Sequence, residues 1–461
     1  MSTEGLAQAL EKMRDGGVHE AAVNVFAHYY RELESGATGL IAEGDIDPLR
    51  DPPRLADVKH DEDAGRAALD ATVVIKLNGG LGTSMGLQGA KSLLTVREGL
   101  SFLDIIARQV LYARQQWGVR LPLVFMNSFR TRDDTLEALS KYPDLATEGL
   151  PVDFLQNREP KLRVDDLTPV EWPPDPSLEW CPPGHGDLYT ALSGSGLLQY
   201  LLDAGVRYAF VSNGDNLCAT ADPRVASWFA NSGAPYAAEV CRRTAADRKG
   251  GQLTVRRSDG RLVLRDTAQT APEDADAFAD VNRHRYFHTN NLWFDLRALA
   301  STLEQKAGVL GLPLIRNEKT VDPADASSPK VIQIETAMGA AVEVFEGAQA
   351  LEVERARFLP VKSTNDLLAL RSDAYDFGDS YTPVLVAGRE EGPYIDLDSD
   401  HYKLVADFDA RFPEGPPSLA EATSLRVEGD WTFGADVVVR GEATVAADGS
   451  PGTVTSGTVL S

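Results

Sequence analysis

The chain has 461 residues, and its 45 basic and 69 acidic side chains leave a formal charge of −24. Such a surface repels nucleic acid and anionic lipid at long range, which excludes a general polyanion binder. Small anionic ligands stay open, because a local basic pocket can coexist with an acidic exterior. At roughly 150 residues per domain the length gives two or three domains, and 43% apolar with 25% charged residues is the make-up of a globular protein with a sizeable core. The cysteines Cys181, Cys218 and Cys241 lie far apart without a C-x-x-C pair, so a reducing compartment and no disulfide framework are expected. Met1–Glu20 lacks the apolar core of a signal peptide, and no run approaches the ~18 apolar residues that span a bilayer. A cytoplasmic location without membrane contact is expected.

In chain order, the first seventy residues read as a polar helical appendage, with Ala21, Val25 and Tyr29 on one helix face and a Gly/Asp/Pro-rich linker after it. At Thr72–Leu77 a β-branched run predicts a buried strand ending in a glycine cluster. A short strand is expected over Ser92–Val96. A helix follows from Ser101 to Trp117, with Asp104 as capping-box partner. The alternation continues: strand Leu121–Met126, helix Asp187–Ala204, strand Arg207–Ser212, helix Asp222–Asn231 and strand Tyr236–Arg242. Strands alternating with helices predict an α/β protein with a mixed sheet covered on both faces, whose ligands bind beyond the carboxyl ends of the strands. A hairpin is expected over Leu253–Leu264, turning at Ser258-Asp259-Gly260, and a helix over Asn365–Tyr375. From Ser424 short β-rich segments broken by Gly and Asp fit a small β-solenoid or a sandwich fragment. The expected division is 1–70, 71–375 and 376–461.

Three segments carry the chemistry. Leu77-Asn78-Gly79-Gly80-Leu81-Gly82-Thr83-Ser84-Met85-Gly86 ends a strand in glycines, where backbone N–H groups can approach phosphate oxygens without a Cβ in the way. Its spacing fits neither G-x-G-x-x-G nor the P-loop, since Lys91 follows Ala90. Lys91 is placed to neutralise a phosphate; a ligand-free turn with a solvated lysine is the plain alternative. In Cys181-Pro182-Pro183-Gly184-His185-Gly186-Asp187 the prolines fix the chain, and His185 between glycines is open to a ligand or simply a loop residue. Asp215, past the strand end in Val211-Ser212-Asn213-Gly214-Asp215, is a hard carboxylate suited to Mg²⁺ shared with phosphates, or a turn residue. His284 and His288 lack the glutamate of H-E-x-x-H and read as non-ligands, and no nucleophile elbow is present. Arg242-Arg243 and Arg248-Lys249 read as a solvated face, although Gly250 and Gly251 would let backbone meet a ligand.

Together with further blocks these segments resemble the eukaryotic-type UTP–glucose-1-phosphate uridylyltransferases (UDP-glucose pyrophosphorylases). The blocks are LNGGLGTSMGLQGAKS at Leu77–Ser92, FLQNREPKL at Phe154–Leu162, CPPGHGDLY at Cys181–Tyr189 and VSNGDNLCAT at Val211–Thr220. They continue with DRKGGQL at Asp247–Leu253, TNNLWFDL at Thr289–Leu296, QIETAMGAAVEVF at Gln333–Phe345 and RFLPVKSTNDLL at Arg357–Leu368. The resemblance implies a nucleotide-diphospho-sugar transferase α/β domain followed by a left-handed β-helix. It implies that Leu77, Asn78, Gly79 and Gly80 cradle the UTP phosphates and ribose, and that Lys91 and Lys362 hold the phosphate chain. Gln156 and Gly184 would recognise uracil, Asn213 would lie near the nucleotide, and His185 would contact the phosphate of glucose 1-phosphate. Asn290 or Asn291, with Glu335, Asp266 and Lys249, would face the sugar substrate, and Asp215 would bind Mg²⁺ as the cofactor. Gly214 stands where the family usually has isoleucine, Ala90 where it has proline, and Asp266 where it has glutamate.

The implied reaction is in-line attack of the sugar phosphate on the α-phosphorus of UTP. The sugar phosphate is already an anionic nucleophile, so no protein base is required and catalysis rests on positioning and charge neutralisation. A uridylyltransferase for N-acetylglucosamine 1-phosphate or galactose 1-phosphate, and a non-catalytic nucleotide-sugar binder, are the alternatives; Ser84-Met85 favours glucose over N-acetylglucosamine. Homo-oligomers belong to the family pattern and stay open here.

Overall fold

The computed structural model describes residues 3–59, 61–244, 247–248 and 250–461. Among these, ten strands form one mixed sheet: β1 (Ile46–Pro48), β2 (Thr72–Asn78), β3 (Leu123–Asn127), β4 (Asp153–Leu155), β5 (Tyr208–Asn213), β6 (Tyr236–Arg242), β7 (Gln252–Arg256), β8 (Leu262–Arg265), β9 (Tyr286–Asp295) and β10 (Gln349–Glu352). The order is β1-β7-β9-β5-β2-β3-β4, with β6 beside β9 and β10, and β8 beside β7. Strands β5, β2, β3 and β4 run parallel, so Asn213, Asn78, Asn127 and Leu155 end on one edge.

Alternate residues of these strands feed two different apolar clusters. Val74, Phe125 and Phe210 belong to one, and Val73, Ile75, Val124, Met126, Ala209 and Val211 to the other. Side chains of a strand point alternately to its two faces, so near-continuous apolar runs mark a sheet covered on both sides. Ser101 caps the helix Phe102–Trp117 in a capping box with Asp104, as the spacing predicts.

Five elements depart from the sequence expectation. The helix expected over Asn365–Tyr375 is Thr364–Arg371, and Tyr375 begins a short strand, Tyr375–Asp376. Ser92–Val96 is a 3₁₀ turn, Lys91–Leu93, followed by the strand Thr95–Arg97. The helix expected over Asp187–Ala204 is two, Leu188–Gly194 and Leu197–Asp203, divided where Gly196 takes φ +77°. On the second N-terminal helix, Glu20–Glu34, Ala21 and Val25 are half-buried while Ala22, Val23, Phe26, Ala27, Tyr29 and Tyr30 are buried; the covered stripe is turned and widened because it packs on Leu162, Leu314, Ile332 and Ile334. The stretch read as linker contributes β1, which pairs antiparallel with β7.

After Thr364–Arg371 the strands Tyr394–Leu397, Ser418–Val427, Val438–Val445 and Val459–Leu460 stack in parallel, and Trp431–Phe433 lies parallel to Gly452–Val454. The apolar cluster on one face of the main sheet runs on through Tyr402, Phe408, Leu425 and Val454, so this segment packs onto the α/β body. No helix of the described residues is long and apolar enough to cross a membrane. The three cysteines are buried and unpaired.

Candidate functional site

The shared edge of the parallel strands opens into a cleft of about 430 Å³. It is lined by Leu77, Asn78, Gly79, Gly80, Lys91, Gln156, Gly184, His185, Asn213, Asp215, Asn290 and Lys362, residues spread over 286 positions of sequence, from Leu77 to Lys362. Ser92, Phe102, Met126, Pro182 and Gly214 line it too; Ser92, Pro182 and Gly214 lie within the quoted motifs without an assigned ligand contact, and Phe102 and Met126 lie outside them.

β2 supplies the floor and the loop after it one wall. Asn78 turns its side chain inward, its Nδ2 donating to Asn127 Oδ1 at 2.8 Å and Thr135 Oγ1 at 2.9 Å, and presents backbone to the cleft. A Cβ on Gly79 would sit 2.7 Å from Gln156 Oε1, so the missing side chain is what lets the Gln156 amide lie there. The Lys91 N–H donates to Gly80 O at 3.1 Å, folding the loop back so that Lys91 re-enters the cleft.

The charged centre is a triad of two lysines around one carboxylate. Lys91 Nζ and Lys362 Nζ each donate to Asp215 Oδ2 at 2.8 Å, and Lys91 Nζ also donates to Val361 O. Burial alone would push the Asp215 carboxyl up, but the two ammonium groups outweigh it and hold it below the usual carboxylate range. Lys362 arrives on a strap beside the end of β5. Val361 N–H donates to Asp215 O at 3.1 Å, Leu359 N–H to Asn216 Oδ1 at 3.0 Å, and Asn216 Nδ2 to Arg357 O at 3.2 Å. The strap is moored by Arg357, whose guanidinium donates twice to buried Glu239 of β6, at 2.9 and 2.8 Å.

His185 is oriented by the backbone. Met338 N–H donates to its Nδ1 at 2.9 Å, which leaves the ring proton of the neutral form on Nε2. Burial, aided by nearby Lys362, pulls its pKa down to about 4, so the ring is a neutral donor at physiological pH. Gly184 holds φ +77°, and a Cβ there would lie 2.5 Å from Thr336 O.

The sugar-side residues separate. Opposite Glu239, β9 carries extra residues in a bulge between the pairs Ala238–Leu292 and Val240–His288. Asn290 sits in it at φ +60° and lines the cleft, as bulges next to sites re-aim a side chain. Asn291 is fully buried, its Nδ2 donating to Glu239 Oε2 at 3.0 Å, so of the two asparagines Asn290 is the one presented. Glu335 ends a strand beside Gly184 and accepts from Asn317 Nδ2 at 2.9 Å. Asp266 is not among the lining residues: it caps a 3₁₀ turn with Gln269 and packs on Gly251. Lys249 lies outside the described residues. Arg243, expected on a solvated face, is buried and donates to Gln252 Oε1, Phe278 O and Asp247 O.

The donor set fits one Mg²⁺. Asp215 Oδ1 is buried without a hydrogen-bond partner, and among the described residues no group of three or more His, Cys, Asp or Glu could hold a metal by itself. Mg²⁺ shared with phosphates needs only one or two protein carboxylates.

A glycine-rich loop, two cleft lysines and a carboxylate on the carboxyl edge of a parallel α/β sheet define an enzyme that handles phosphorylated nucleotides. The family described as UTP–glucose-1-phosphate uridylyltransferase matches residues 23–440, and the chain belongs to it. It is 41% identical over 397 residues to the UTP–glucose-1-phosphate uridylyltransferase of Hordeum vulgare, with 85% of this chain and 81% of the other covered. It is 40% identical to that of Saccharomyces cerevisiae, with 85% and 77% covered. A crystal structure of UDP-glucose phosphorylase from Trypanosoma brucei superposes with a TM-score of 0.92 at 44% identity over 99% of this chain and 98% of that one. A mutant of UDP-glucose pyrophosphorylase from Leishmania major in complex with UDP-glucose gives 0.92 at 42% identity, with 99% and 98% covered.

Proposed function

We propose that this enzyme transfers UMP from UTP to glucose 1-phosphate, reversibly, giving UDP-glucose and pyrophosphate. The observation that carries the reading is the convergence of Lys91, Lys362 and Asp215 with the glycine loop in one cleft of a chain whose net charge is −24. A phosphate oxygen of glucose 1-phosphate forms the new bond to the α-phosphorus of UTP. The bond from that phosphorus to the bridging oxygen of the β-phosphate breaks, and pyrophosphate leaves with the electron pair. No proton has to be removed from the nucleophile, which agrees with a cleft where His185 is neutral and Asp215 is paired with two lysines.

Each residue then has a task. Gly79 and Gly80 offer backbone N–H groups to the phosphates, and Lys91 and Lys362 neutralise charge that builds toward pyrophosphate. His185 donates from Nε2 to the incoming phosphate. Gln156 pairs its amide with a carbonyl and the imide N–H of uracil, with Gly184 closing the other side. Asn290 and Glu335 take sugar hydroxyls. Asp215 would hold Mg²⁺ through Oδ1, and the ion would supply further charge neutralisation at the phosphates.

We read the C-terminal winding as a left-handed β-helix, supported by its consecutive parallel strands, and keep 1–70, 71–375 and 376–461 as units of architecture rather than of packing. A cytoplasmic location is supported by three buried thiols, and a homo-oligomer stays compatible with the family. The assay is pyrophosphate release from UTP with glucose, galactose and N-acetylglucosamine 1-phosphates, with and without Mg²⁺. Glucose 1-phosphate should be preferred, and Lys91→Ala and Lys362→Ala should each lose at least ~10²-fold in turnover. Near wild-type rates for both variants would sink the assignment.

A further inference from the structure

Uracil and cytosine differ by a reversal of polarity on one edge: a carbonyl and an N–H in uracil become an amino group and a ring acceptor in cytosine. A glutamine amide can read either base, because rotating it by half a turn exchanges its oxygen and its NH₂. A site that uses glutamine as its base reader therefore needs other groups to fix how that glutamine is presented.

The residue after Gln156 is fixed by a carboxylate from the opposite loop. Asn157 N–H donates to Asp187 Oδ2 at 2.6 Å, and Asn157 Nδ2 donates to Asp187 Oδ1 at 2.8 Å. Asp187 is only 5% exposed and follows His185 and Gly186, so its two oxygens bridge the loop of Gln156 to the loop of Gly184. Burial pushes this carboxyl up to about 6, against the pull of the two Asn157 bonds. The far side of the Gly184 loop is moored independently, Gly186 N–H donating to Thr336 O at 2.8 Å and Thr336 N–H to Pro183 O at 3.0 Å. That second mooring lies next to Glu335, on the sugar side.

We propose that Asp187 is a positioning residue for base selection: by clasping both donors of Asn157 it fixes Gln156 relative to Gly184 and so sets the preference for UTP over CTP. This rests on the reading of Gln156 and Gly184 as the uracil contacts. Asp187→Asn keeps the shape but has one acceptor oxygen where two donors converge, so one bond is lost and an NH₂ faces an N–H. Asn157→Ala removes the other half of the clasp from a half-buried position, and carries the test where Asp187→Asn does not fold.

Pyrophosphate release is measured with UTP and with CTP for the wild type, Asp187→Asn, Asn157→Ala and Gln156→Ala, and KM for glucose 1-phosphate is measured with each. In both clasp variants the ratio of kcat/KM for UTP to that for CTP should fall about tenfold, the scale of one or two hydrogen bonds in a buried site, while KM for glucose 1-phosphate stays within about twofold. A merely structural role would raise both KM values and leave the base ratio unchanged, and that result overturns the proposal. If Gln156→Ala collapses the ratio while both clasp variants keep it, positioning fails and the base contact stands. An unchanged ratio in Gln156→Ala removes the base contact and the proposal together.

Discussion

Arg357→Met is the perturbation most directly scaled by the structure. Glu239 has a side chain only 1% exposed, and its carboxylate receives two bonds from Arg357, one from Asn291 Nδ2 at 3.0 Å and one from Trp293 Nε1 at 3.0 Å. Taking the guanidinium away leaves a buried carboxylate with two neutral donors, a change of roughly 3–5 kcal/mol when one partner of a buried pair is removed. At roughly 2 cal/mol/K of unfolding entropy per residue, 461 residues give about 1 kcal/mol/K, so Tm should drop by about 3–5 °C. Glu239→Gln removes the stranded charge, so the double variant should recover at least ~1 kcal/mol relative to the sum of the singles. Scanning calorimetry and urea melts on the four proteins supply the cycle, and turnover should fall with Arg357→Met because the strap bearing Lys362 loses its mooring. A single variant that melts within 1 °C of wild type (about 1 kcal/mol), or an additive double variant, would refute the idea that this pair holds the strap.

Two glycines should differ in severity. Gly184→Ala places a Cβ 2.5 Å from backbone oxygen of Thr336 at φ +77°, and should lose at least ~10²-fold in kcat/KM or fail to fold, whereas Gly79→Ala meets the movable Gln156 amide and should mainly raise KM for UTP. Equal effects in steady-state assays would contradict this. Lys76, buried under the site, donates to Ser212 Oγ and Ala219 O, and burial, with Arg357 nearby, pulls its pKa from 10.5 down to about 7. Between these values the unfolded chain binds the extra proton, so wild-type stability should rise with pH from about 7 toward 10. Lys76→Met lacks that slope, and parallel Tm curves for the two proteins across this range would count against a displaced lysine.

The parallel half of the sheet was legible because its strands are apolar on both faces: Thr72–Leu77 and Arg207–Ser212 read straight from β-branched, aromatic and small apolar runs, and the structure has strands at Thr72–Asn78 and Tyr208–Asn213. Where tertiary pairing decides, the pattern is silent. Ile46–Pro48 is a strand only because β7 lies beside it, and the covered stripe of Glu20–Glu34 is set by what packs on it rather than by its own period. In the site, Lys91, Asp215 and Lys362 could be named from motifs, yet their meeting on one oxygen depends on a strap moored by Arg357 far from the glycine loop. Asn290 and Asn291 could not be told apart by spacing, because a bulge rather than regular alternation decides which one faces the cleft. Asp187 stood in plain view within a motif, but its partner Asn157 lies thirty residues earlier.

The double grip of Lys91 and Lys362 on Asp215 Oδ2 has a consequence for genetics at this position. One carboxylate oxygen serves as the counter-ion that aims two flexible cations, while the other is left over for a different partner. Changing Asp215 therefore edits three residues at once, releasing both ammonium groups into a cleft that then carries two uncompensated positive charges. A variant there should bind phosphate-bearing ligands more readily while turning them over more slowly, so affinity and rate would part company at a single atom.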